Sequence, residues 1–441
     1  MMRAGFDHLA DAVCQPVAGI DRLTLYYSAE SSDFIRFNKA AVRQATHVAQ
    51  QYGTVSVIAG ARQAASRVAL TGDRAADVQA LLAERELLIG ELPLVPEDAF
   101  LQLPAEVATT EREAAGQLPT AGELIDAVVS HAAGTDLVGF YAGGPVARGF
   151  ADSRGQRNWH RVESFHFEWC LYRSGDQAVK SAYAGNHWDE ATFAAKVAAG
   201  REQVELLAYP RKALPPGGYR AYFSPVAVAD LLSTLSWGGF GHKDVQTGVS
   251  TLIQAHRGEA AFHPSIFLVE DTANGIAPRF QADGFVKPDS VALVAAGRVA
   301  GTLVSPRTAK EYGCTANGAH AGESPESLSM AGGALHPAHA LAALGTGVFI
   351  SDLHYLNYSD RQACRMTGMT RFACFWVENG KLVAPISVMR FDDSLLRMFG
   401  GGLLALTQVP ELVPDSATYE ERHLRSVTAP GALVEGFRFT L

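Results

Sequence analysis

Four side chains of metal-ligating type recur within one short stretch: His160, His166, Glu168 and Cys170. All four have even numbers, and a strand sends alternate side chains to the same side, so a strand over Trp159–Tyr172 lines them up on one face. Imidazole, carboxylate and thiolate together are the ligands of zinc chemistry. Same-face neighbours along one strand stand about 7 Å apart, which is too far to share an ion. The pattern therefore reads as the polar face of an antiparallel sheet.

The other candidates are equally incomplete. His336 and His339 stand at i, i+3, where a helix could bring two imidazoles to one metal, but no acid lies beside them. Gly53-Thr54-Val55 and Gly143-Gly144-Pro145 open no helix in a phosphate-binding pattern. The pairs Asp392-Asp393 and Glu420-Glu421 are adjacent, so their carboxylates do not face each other, and they read as solvated faces. There is no G-x-S-x-G elbow, and Cys314 lacks a nucleophile signature. His242 has no ligand-type partner beside it. No catalytic, cofactor-binding or metal-ligating residue is assigned to this chain from its residues alone.

The elements that must position these groups form two strand-rich blocks and a β-dominated second half. Leu23–Leu70 reads as an antiparallel meander, broken at Ser31-Ser32-Asp33, Gln51-Tyr52-Gly53 and Gly60. A helix over Asp73–Glu91 packs on it, with Thr71-Gly72-Asp73 as its cap. Leu92–Pro119, rich in proline, is a connector. A helix over Glu123–Ala133 follows, then a second meander over Asp136–Ala184, broken at Gly143-Gly144-Pro145, Ser153-Arg154-Gly155 and Ser174-Gly175-Asp176. Trp188–Leu207 is helical. Pro225–Leu235 is a helix with Ser224 as N-cap and proline at its first position, where the missing N–H costs nothing. Beyond Phe262 the chain is strand-like and rich in turns.

The predicted fold class is α+β. An N-terminal region, residues 1–222, holds antiparallel meanders with packed helices, in sub-parts at about 20–95 and 120–222. A β-rich C-terminal domain, residues 223–441, is barrel- or sandwich-like. A chain of 441 residues has room for more than one core. With 48% apolar and 19% charged residues it is of globular rather than disordered composition. A net charge of −9, without a basic cluster, argues against nucleic-acid binding. Five scattered cysteines suit a reducing, cytoplasmic setting, and neither a signal peptide nor a membrane span is expected.

The order of several short motifs resembles the TldD/PmbA (TldE) family. They are Asp283-Gly284, Ala296-Gly297, Thr308-Ala309-Lys310 and Thr315-Ala316-Asn317-Gly318, then Thr367-Gly368-Met369-Thr370 and Trp376-Val377-Glu378-Asn379-Gly380-Lys381. Tyr141-Ala142-Gly143 and Arg148-Gly149-Phe150-Ala151 fit its middle region. The resemblance implies a peptidase of two subunit kinds. The D-type carries zinc on an HExxxH helix with a distant cysteine, and the E-type lacks both. Here the segment aligned with HExxxH is Trp237-Gly238-Gly239-Phe240-Gly241-His242, so only the last histidine stands. Trp237 cannot ligate zinc and Gly238 cannot act as a base. Three glycines disfavour a helix there by up to ~3 kcal/mol relative to alanine, so a flexible loop is expected. No cysteine follows Cys374.

The resemblance thus implies a non-zinc subunit that helps form the cleft for an extended, unstructured or modified peptide, with zinc held by a D-type partner. A stand-alone peptide-binding or scaffold homodimer without catalytic activity is the alternative. An independent hydrolase using His336 and His339 is a third reading.

Overall fold

The computed structural model describes residues 2–440; Met1 and Leu441 lie outside it. Among these residues the N-terminal half builds one seven-stranded sheet rather than two separate meanders. Its strands are β1 (Arg22–Asn38), β2 (Ala41–Ala59), β3 (Arg62–Leu70), β4 (Thr110–Ala114), β5 (Asp136–Asp152), β6 (Arg157–Ser174) and β7 (Gln177–Gly185). The order is β3-β2-β1-β5-β6-β4, with β7 also paired to β6. The join is β1 against β5, antiparallel from Thr24↔Asp152 to Phe37↔Gly139.

Several expected breaks are strand interior instead. β1 and β2 run through Ser31-Ser32-Asp33 and Gln51-Tyr52-Gly53, and the chain reverses at Lys39-Ala40, both with positive φ (52° and 54°). That is the twist a two-residue hairpin requires, met here without the usual asparagine or glycine. Gly143-Gly144-Pro145 does not end β5 but lies within it, where the β1 pairing lapses between Glu30↔Val146 and Asp33↔Gly143 without a change of register. A Cβ on Gly144 would lie 2.2 Å from the Ser31 carbonyl oxygen. The expected connector contains β4, which pairs parallel with β6.

Helices cover one face of this sheet. α1 (Met2–Val13) buries Phe6, Leu9, Ala10 and Val13, with Phe6 stacked on Trp159 at 5.5 Å. α2 (Arg74–Glu91), capped by Asp73, closes the same core. α3 (Ala121–His131), with a Thr120/Glu123 capping box, and α4 (Glu190–Leu206) cover Phe165, Phe167 and Trp169. The odd-numbered side chains of β6 are thereby spent on the core, and its even-numbered ones face the second half of the molecule.

That half is two sheets around a shared core, open at their edges in the manner of a sandwich. One has the order Arg298–Val299, Val291–Ala295, Leu268–Glu270, Ser327–Met330, Ser426–Ala429, Glu411–Pro414. The other contains β8 (Gly217–Phe223), paired parallel with Gly347–Ile350 and antiparallel with Ala432–Phe439. Between the sheets lies α5 (Pro225–Leu235), which packs against Ser426–Ala429 on one side and Leu353–Asp360 on the other. Ser224 Oγ accepts from Ala227 N at 3.2 Å and Pro225 starts the first turn, as expected. Seven of the helix's eleven residues are buried. Truncating a fully buried one such as Leu231 to alanine should cost about 2–5 kcal/mol. Among the described residues no helix is long and apolar enough to cross a membrane.

Candidate functional site

The even face of β6 meets the C-terminal domain along its length, and the two ends of that contact differ. At one end it is sealed. Arg422, 4% exposed, reaches in from the C-terminal domain and donates to the Ser164 carbonyl at 2.8 Å and its Oγ at 3.0 Å. It also donates to the Gly144 carbonyl at 2.9 Å. Burial pulls the guanidinium down to about 10, opposed by the charge of Glu30. His160 Nε2 lies 3.0 Å from the Ile276 carbonyl oxygen, and burial, with Arg112, lowers it to about 3, so it is neutral. This histidine is part of the seal.

At the other end the two halves part into a cleft. One chamber of about 320 Å³ is lined by His166, Tyr183, Val226, Leu412 and Pro414. A second, of about 400 Å³, is lined by Glu168, Asp230, Ser233, Trp237, Asp415 and Arg425. Beyond them, a hollow of about 620 Å³ lies on the N-terminal sheet alone, among Arg36, Phe140, Cys170 and Lys180. Glu168 lines all three. His166 and Glu168 are thus brought to one cleft, with Cys170 in the hollow beyond it, without converging on a point. Among the described residues no three His, Cys, Asp or Glu side chains group as a metal site. Burial raises the Cys170 thiol to about 11, far from a thiolate at neutral pH.

The charged centre of the cleft joins both domains. Lys180 of β7 holds Asp352, 3% exposed, at 3.1 Å. Asp230 projects from the middle of α5 toward the same group. Burial, then the charge of Asp352, raise Asp230 to about 7, with the charge of Lys180 and then a backbone N–H of Leu353 opposing. Burial raises Asp352 as well, opposed by the charge of Lys180 and its direct contact. Although burial opposes it, the carboxylates of Asp352, Glu168 and Asp230 hold the Lys180 ammonium above the ordinary lysine range. Three carboxylates thus share one resident cation. Sequence reasoning singled out Glu168 but missed Asp230, Asp352 and Lys180. The available signal was Asp230 itself, the lone charge in Pro-Val-Ala-Val-Ala-Asp-Leu-Leu-Ser-Thr-Leu.

The Trp237–His242 segment sits at the rim. α5 stops at Leu235, and Gly238 has φ +85°, so the segment is a loop, held by Arg361 Nη2 on the Trp237 carbonyl at 2.9 Å. His242 starts a separate short helix, α6 (His242–Gln246). Its Nδ1 is 3.1 Å from Thr302 Oγ1 and its Nε2 3.2 Å from Gln246 Nε2. Trp237 is 56% exposed beside the second chamber. A catalytic zinc needs three protein ligands, and this segment offers one imidazole, already bonded to neighbours. The residues present do not fit the ion.

The remaining candidates have ordinary roles. His336 caps a 3₁₀ turn by accepting from Ala338 N at 3.3 Å, with the His339 ring 5.3 Å away. Of the acidic pairs expected to be solvated, Glu420 is exposed, but Asp393 and Glu421 are drawn into contacts. Asp393, 2% exposed, bonds Arg397 and the Arg438 N–H. Glu420 meets Arg67 at 3.2 Å and Glu421 meets Arg148 at 3.4 Å, tying the C-terminal domain to the N-terminal sheet. Cys314 is exposed, and Cys374 is buried with its thiol raised to about 11 by burial.

Residues 216–441 match the PmbA/TldA metallopeptidase C-terminal domain. No curated protein sequence matches the chain. Among solved structures, TldE from Thermococcus kodakarensis aligns over 100% of this chain and 98% of its own, at TM-score 0.77 and 13% identity. A Thermotoga maritima protein, given a provisional description as a modulator of a DNA gyrase, aligns over the whole of both chains at TM-score 0.75 and 14% identity. A Bacteroides thetaiotaomicron protein with the same provisional description covers 99% of this chain and 97% of its own, at TM-score 0.73 and 16% identity. At such identities the likeness is one of fold.

Proposed function

The chain belongs to the TldD/PmbA metallopeptidase family, and from that premise we propose that it is an E-type subunit: a partner that shapes a peptide cleft while a D-type chain supplies the zinc. The observation that carries this reading is the rim loop. At the positions aligned with HExxxH stand an indole, a glycine with φ +85° and one histidine bonded to Thr302 and Gln246. No general base and no ligand set remain there for a water to be activated. The cleft supports the other half of the reading, since two adjoining chambers, sharing Glu168, Val226 and Pro414, lie between the two halves and give room for an extended chain of unstructured or modified peptide. The full-length likeness to a TldE adds to it.

The test is to purify the chain alone and together with a D-type chain, and to weigh both preparations by light scattering. A stoichiometric complex that cleaves unstructured peptide, with an isolated chain that does not, is the expected result. A stable homodimer that ignores the D-type chain would instead favour a stand-alone scaffold, and peptidase activity with stoichiometric zinc in the isolated chain would refute the assignment.

A further inference from the structure

We propose that the cleft recognises a cationic nitrogen, an ammonium or guanidinium carried by its ligand, between Glu168 and Asp230 and beside the ring of Trp237. Charge is the first ground. Glu168, Asp230 and Asp352 surround a single cation, Lys180, which is bonded to Asp352 at 3.1 Å, so Glu168 and Asp230 have no cation of their own in this group. Arg425 and Asp415 also line this chamber, one charge of each sign. Space is the second ground. Those two carboxylates border about 400 Å³, room for an aliphatic amine and its chain. Trp237, 56% exposed at the edge of that chamber, offers a π face, which attracts a cation further.

A separate observation points to a ligand from the neighbouring chamber. His166 is 5% exposed, lines that chamber, and its Nε2 has no hydrogen-bond partner among the described residues. A buried ring nitrogen left unbonded costs about 1–3 kcal/mol unless something outside the chain bonds to it. Burial, with Arg422, lowers this imidazole to about 4, so it is neutral and can meet a peptide group. His166 and Glu168 are same-face neighbours about 7 Å apart, roughly the span of two residues of extended peptide. A ligand with a cation at Glu168 and a backbone amide near His166 meets both groups at once.

This deepens the peptide-cleft reading and rests on it for the nature of the ligand, so two kinds of probe are needed. Octapeptides of alanine and leucine, labelled at the C-terminus, would be titrated against the full chain, alone and with a D-type partner. The first is N-acetylated with one central lysine, the second has a free N-terminus and no lysine, and the third is N-acetylated with acetyl-lysine. Hexylammonium and hexanol are the small-molecule probes. At least one charged peptide should bind about ten-fold tighter than the neutral one, and which one does identifies side chain or terminus as the source of charge. Hexylammonium should compete where hexanol does not. Glu168→Gln and Asp230→Asn, each confirmed folded by its melting curve, should shrink the preference to less than about two-fold without weakening the neutral peptide. Equal binding of all three peptides with no effect of hexylammonium would overturn the cation site and leave the peptide cleft standing. Binding of hexylammonium with no binding of any peptide would do the reverse. A charge preference that survives both substitutions would overturn the assignment of these residues.

Discussion

The two ends of the contact between the N-terminal sheet and the C-terminal domain use the same strand face for opposite purposes. At the Arg422 end the guanidinium's two Nη atoms are drawn into bonds that cross the domain boundary, and the contact is closed. At the Glu168 end the same even-numbered face of β6 borders open volume, holds carboxylates in excess, and leaves a histidine nitrogen unbonded. The first end is where the fold is held, and the second is where the molecule has room to meet something else. The rim loop joins the open end only through the exposed indole of Trp237, since His242 is bonded to its own neighbours.

The sharpest way to break the comparison is Arg422→Ala. If the sealed end holds the domains, this variant leaves the Ser164 and Gly144 carbonyls without their side-chain donor, removes the cation nearest the buried Glu30, and should cost about 3–5 kcal/mol in denaturant unfolding. A change below about 1 kcal/mol would mean that the seal is incidental. Next in size, restoring the zinc motif at the rim by Trp237→His with Gly238→Glu should destabilise by about 1–2 kcal/mol and recruit no zinc. A side chain at φ +85° is strained, and its Cβ would stand 2.6 Å from Arg361 Nη2. Metal analysis and thermal melting check both parts.

Asp230→Asn separates the ends by sign. Because burial and Asp352 raise the folded pKa of Asp230 from 3.8 to about 7, its proton stabilises the fold at low pH and is lost as pH rises through the window from about 4 to 7. Lys180, Glu168 and Asp352 are the charged groups that face it. The asparagine variant should therefore match the wild type below pH 4 and exceed it by roughly 1–2 kcal/mol at pH 8, allowing for water in the cleft. Unfolding curves at the two pH values decide it. Smallest of all, His242→Ala removes only its bonds to Thr302 and Gln246 and should cost about 1 kcal/mol or less.

Much of the fold was legible in the sequence because its signals were local. Ser224-Pro225 marked the start of α5, and the alternation of Trp159–Tyr172 marked β6 with its polar face. What was not legible depended on partners far along the chain. Two meanders looked separate because nothing local says that β1 lies against β5. Gly143-Gly144-Pro145 looked like a turn because the groups that meet it, the Ser31 carbonyl and Arg422, lie far from it along the chain. Asp393 and Glu421 looked like solvated acids because Arg397, the Arg438 N–H and Arg148 meet them only in the folded chain. The cleft failed to show for the same reason, since Lys180, Asp230 and Asp352 lie on three distant elements.

The central claim is that this chain takes part in peptide hydrolysis without holding the metal. It is tested most directly by measuring zinc and peptidase activity in the complex with a D-type chain and in each chain alone. One zinc per pair of chains, kept when Trp237 and His242 are both changed to alanine and lost when the histidines of the D-type motif are changed, is the expected result. Zinc bound stoichiometrically by the isolated chain, with peptide cleavage that disappears on His242→Ala, would contradict it.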